Sequence, residues 1–149
     1  MYGRYDEKIL AQTPFLYDRK KKNHTWVGKN AFDYCNSEDE FLSVLDNEAS
    51  SALLWETGKM HFQIGTRETP KDMDNFFRAV ELISFDLQFS RILEGKRKVS
   101  QLFIDRLAAP ARDIYSEYEK LSKEDSPDGR YAKAVVEAIR ERPTIKYFE

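Results

Sequence analysis

A chain of 149 residues is about the size of one domain and long enough to bury roughly two-thirds of the surface its unfolded form exposes. With 41% hydrophobic and 13% aromatic residues it carries the material of a packed core, which excludes a disordered chain, while 34% charged residues make its surface very polar. The net charge of −2 hides a division: residues 1–30 carry seven Lys/Arg against three Asp/Glu, residues 31–69 two against eight, and residues 70–149 fifteen against fifteen.

No apolar run approaches the roughly 18 residues that cross a bilayer, and "MYGRYDEK" lacks the apolar stretch of a secretory signal. The expected location is therefore cytoplasmic, with no membrane contact. The single Cys35 excludes an internal disulfide and a four-cysteine metal site, which fits a reducing compartment.

In the N-terminal part, "ILAQTPFLY" and "HTWVG" are candidate strands, the first interrupted by Pro14. Between them lies "YDRKKKNHTW", where Arg19, Lys20, Lys21 and Lys22 are flanked by Tyr17 and Trp26. Such a run is usually a solvated connection. Its alternative use is nucleic-acid binding, with the four cations on phosphates, Tyr17 and Trp26 as stacking platforms and "GKRK" at residues 95–98 assisting. One short cluster supplies few phosphate contacts, and the acidic block after it would repel the same backbone.

"NSEDEFLSVL" places Ser37 three residues before Glu40, a capping box that predicts a short helix carrying Phe41, Leu42, Val44 and Leu45. In "ALLWETGKMHFQIG" two apolar stretches flank Thr57, Gly58 and Lys59, and the second alternates Met60, Phe62 and Ile64 against Lys59, His61 and Gln63. That pattern predicts a β-hairpin with Gly58 in its turn.

After Thr69, a candidate N-cap, and Pro70 the pattern is helical. A helix is expected from Pro70 to Leu93, stopping near Gly95; a second from Val99 to Ala109, with Pro110 kinking it or starting a piece that reaches Leu121. "SPDG" marks a turn, Asp128 a cap, and Tyr131, Val135 and Ile139 the core face of a last helix closed by Pro143. The expected fold is thus α+β, a small antiparallel sheet or hairpin in the N-terminal half followed by three to four helices. Residues 1–149 form one domain, with a mixed part (1–69), a helical part (70–142) and an extended tail (143–149).

Catalytic signatures are scarce. The Gly58-Lys59 pair has no glycine five residues before it, and Met60 replaces the Ser/Thr of a phosphate loop. Asp72 and Asp74 fall in a first helical turn, where the helix dipole favours carboxylates, so no metal site is assigned. His24 and His61 have no partner in sequence, and a hydrolase or transferase built on either is a third-ranked reading. Cys35 precedes a helix N-terminus but is most simply a small buried hydrophobe. No cofactor is implied.

The long helix is less ordinary. At about 100° per residue, Met73, Phe76, Phe77, Val80, Ile83 and Leu87 share one stripe, and Leu82, Phe85, Phe89, Ile92 and Leu93 share nearly the opposite one. The second stripe is either sandwiched inside the fold or a docking surface. The tail poses the same choice: Ile145, Tyr147 and Phe148 either fold back on the chain's own sheet or dock elsewhere as a strand. The leading functional expectation is a non-enzymatic inhibitor, adaptor or assembly subunit. It would bind a protein or a second copy of itself through Leu82, Phe85, Phe89, Ile92, Ile145, Tyr147 and Phe148.

Overall fold

A computed structural model describes residues 34–149, together with the backbone of Ala11–Gln12 and Trp26–Val27. Its described residues form four α-helices and a C-terminal 3-10 turn: α1 (Glu38–Thr57), α2 (Met73–Leu93), α3 (Gln101–Leu121), α4 (Pro127–Arg140) and the turn Pro143–Tyr147. Ala11–Gln12 pairs antiparallel with Trp26–Val27 over two residues each, and no sheet layer exists among the described residues. The expected α+β fold with a hairpin is therefore corrected to a helical one.

The correction turns on α1. Ser37 caps it as expected, its Oγ accepting from the Glu40 N–H at 3.2 Å, and Glu38, Asp39 and Glu40 sit where the helix dipole favours anions. The helix is not short, however; it continues through "ASSALLWET", with Ser51 and Thr57 hydroxyls donating back to the carbonyls of Asn47 and Leu53. Gly58 does adopt positive φ (64°), but to end α1, donating its N–H to the Leu54 carbonyl at 2.8 Å. A helix C-cap and a hairpin turn ask the same freedom of glycine.

Helix α2 begins later than Pro70, because Asp72 rather than Thr69 is the cap: its carboxylate accepts from the Asp74 N–H at 2.8 Å. It packs on α1 along one side and on α3 and the C-terminal turn along the other. Leu82, Ile83 and Phe89 are all but fully buried, so both apolar stripes have neighbours within the chain. The α1 contact is partly polar, with Gln88 bridging Asn47 (3.1 Å) and Ser43 (3.1 Å) and the Ser51 and Ser84 hydroxyls 2.8 Å apart.

Helix α3 is continuous through Pro110, which lies on the exposed side together with Arg106, the residue whose carbonyl it deprives of a helical partner. Phe103, Leu107, Ala111, Tyr115 and Tyr118 line its buried side at intervals of three and four. Ser126, not Asp128, caps α4 (2.9 Å from the Gly129 N–H), and Tyr131, Val135 and Ile139 face the core as expected. The tail is neither a strand nor laid on a sheet: it coils into the 3-10 turn against the helices and buries Thr144 and Phe148.

Candidate functional site

Among the described residues, a connected set of polar side chains meets at Asp86, in the middle of α2 and fully buried. Arg142 Nε donates to its two oxygens at 2.8 Å each, and His61 Nε2 and the Thr144 hydroxyl complete its hydrogen bonds. Arg142 also reaches the Ser90 hydroxyl at 3.2 Å and lies 4.7 Å from the centre of the Phe62 ring. The His61 ring meets the same Phe62 edge-on at 4.8 Å. One carboxylate thus joins α2, the loop at residues 58–72 and the tail. Burial alone would raise its pKa, but the hydrogen bonds from His61, Arg142 and Thr144 outweigh it and hold the carboxyl below its ordinary value.

An aspartate behind an imidazole is the base-orienting half of a hydrolytic triad. Here the third hydroxyl points the wrong way, since Thr144 donates to the carboxylate rather than to the imidazole and is itself fully buried. No nucleophile is brought to His61 among the described residues.

The loop is fastened at its far end by a second carboxylate. Asp128 accepts from the Asn75 amide at 2.9 Å, the Lys71 N–H at 2.7 Å and the Asp72 N–H at 3.1 Å, and these bonds lower its pKa. Between the anchors the expected alternation is real as burial: Met60, Phe62 and Ile64 are half-buried against the core, while Lys59, Gln63 and Arg67 face solvent. His61 has an open backbone but only 19% of its side chain exposed. A groove of about 440 Å³ runs along the loop, lined by Lys59, Met60, Phe62, Gln63, Ile64 and Arg67 among others.

Of the residues singled out in the sequence, Leu82, Phe89 and Phe148 are buried in one cluster, and Phe85, Ile92, Ile145 and Tyr147 pack against it half-buried. Phe89 stacks on Tyr147 at 4.6 Å and meets Phe148 edge-on at 5.5 Å, so the second stripe and the tail cover each other. Tyr17, Arg19, Lys20, Lys21, Lys22 and His24 lie outside the described residues, as does the side chain of Trp26. In "GKRK", Arg97 is committed inward to Asp46 (2.8 and 3.1 Å) and Lys96 pairs with Glu94 at 2.6 Å. Cys35 is half-buried beside the core, and burial pushes its thiol pKa up. Among the described residues no group of three His, Cys, Asp or Glu side chains converges as a metal site, and no helix is long and apolar enough to cross a membrane.

Sequence reasoning missed Asp86, Arg142 and Thr144. A signal existed: Asp86 interrupts "LISFDLQF", and an ionisable group inside a helix that is apolar on two sides requires partners. Comparison with protein families, with curated proteins and with solved structures finds no match for this chain.

Proposed function

We propose that this chain is a non-enzymatic binding protein, an inhibitor, adaptor or assembly subunit that works through contact with another protein. The observation that supports this reading is the loop at residues 58–72. It is pinned at one end by Asp86 and at the other by Asp128, floored by half-buried Phe62 and Ile64, and it presents Lys59, Gln63 and Arg67 outward from a helical scaffold. Binding residues are disproportionately carried on loops that a rigid body positions. The chemistry at Asp86 is saturated by its own donors, which suits support of a surface better than turnover.

The test is affinity capture with the full-length chain from its native cell, repeated after nuclease treatment and with Lys59, Gln63 and Arg67 all changed to serine. A protein retained through nuclease and released by the triple change supports the reading. Capture that disappears with nuclease, joined to a salt-dependent mobility shift that needs Arg19 to Lys22, replaces it with nucleic-acid binding.

A further inference from the structure

We infer that the groove along residues 59–67 receives an extended, acidic segment of the protein partner. This rests on the protein-binding reading above and adds to it a place and a partner chemistry.

Three features of the same segment point to that occupant. The first is its backbone: the N–H groups of residues 60–67 have no hydrogen-bond partner among the described residues, whereas Lys59 and Glu68 on either side are satisfied by the hydroxyls of Thr57 and Thr66. Open N–H and C=O groups along a non-helical run are what an incoming extended chain pairs with. The run bends at His61–Phe62 and again at Gly65, so pairing is confined to short stretches rather than a long ladder. The second feature is the groove of about 440 Å³, where half-buried Met60, Phe62 and Ile64 offer apolar surface to one or two anchoring side chains.

The third feature is charge. Lys59 and Arg67 are the two cations of residues 31–69, a stretch with eight Asp/Glu, and both line this groove. Neither forms an ion pair among the described residues, although Arg78, Arg97 and Arg142 all do. Two unpaired cations beside an apolar floor complement a peptide that carries Asp or Glu around an apolar residue. A nucleic acid fits less well, since two cations release few counterions and the floor is aliphatic as much as aromatic.

The experiment pans a displayed library of random peptides on the full-length protein, then maps the enriched peptides by backbone amide chemical shifts. A Lys59→Glu, Arg67→Glu double variant is run in parallel, and both positions are exposed, so its far-ultraviolet spectrum should match the parent. Enriched sequences should place acidic residues around an apolar one and shift the amides of residues 60–67. The double variant should bind them about tenfold or more weakly, the loss of two rim attractions of roughly 0.7 kcal/mol each. Enrichment without acidic bias, equal binding to the double variant, or shifts centred elsewhere would each overturn the inference. A random-sequence oligonucleotide that displaces nothing but shifts the same amides itself would overturn it too. Partner capture that persists in the double variant removes the groove while leaving the protein-binding reading intact.

Discussion

Replacing Asp86 with alanine removes the anion shared by Arg142, His61 and Thr144. Where the remaining charge stays buried, breaking such a pair costs about 3–5 kcal/mol. The Arg142 and His61 side chains keep 24% and 19% of their surface exposed, so both can turn partly to water. Thr144 cannot, and its hydroxyl is stranded. The expected loss at neutral pH is therefore near the lower end, about 3 kcal/mol. Asn at this position keeps one acceptor but sets an amide N–H against donors, and about 2 kcal/mol is expected. The pH dependence follows from the direction of the Asp86 shift. A carboxyl held below its ordinary value of 3.8 contributes stability that is fully present above that value and is lost as pH falls through the lower folded one. The gap between parent and alanine variant, read from urea unfolding across a pH series, should close as pH falls through that acid window. A loss under about 1 kcal/mol at neutral pH, or a gap that persists unchanged below that acid window, would refute the clasp.

Phe89→Ala, which empties the ring site between Phe85, Tyr147 and Phe148, should cost about 3–5 kcal/mol in the same assay. Gly129→Ala should cost about 2 kcal/mol or more, because its Cβ would lie 2.1 Å from the Glu124 carbonyl oxygen; Gly65→Ala, with nothing within 4 Å, serves as the neutral control. Deleting residues 144–149 strips Thr144 and Phe148 from the interior and should destabilise by at least about 3 kcal/mol, and amide exchange should show the tail protected in the free protein.

Helix ends were legible where they depend on neighbouring residues, as with Ser37 and Glu40 before α1 and Gly95 (φ 73°) after α2, whereas the caps of α2 and α4 proved to be Asp72 and Ser126 rather than Thr69 and Asp128. The strand assignment failed for two local reasons. "ALLW" is too short to show a period, and an alternating run such as Met60 to Ile64 results whenever extended chain lies on an apolar surface, whether that surface is a sheet or, as here, packed helices. The partners of Asp86 were illegible for a long-range reason. His61, Arg142 and Thr144 stand 25, 56 and 58 residues away from it, and nothing in their own neighbourhoods marks them as a set.

That distance also says what the clasp does for the groove. Apolar side chains at positions 61, 86 and 142 would bury at least as favourably as the ions, since well-packed hydrophobes often replace a buried pair without loss. Apolar attraction has no direction, however, and would let the loop slide along α2 by a residue or a turn. A carboxylate that accepts from an imidazole, a guanidinium and a hydroxyl at once fits one placement of the loop and one of the tail. Phe62, seated between the His61 ring and the Arg142 guanidinium, takes its position from the same arrangement. The floor of the groove is therefore set by Asp86, so the Asp86→Ala variant, even where it remains folded, should bind groove ligands more weakly than its intact Lys59 and Arg67 would suggest.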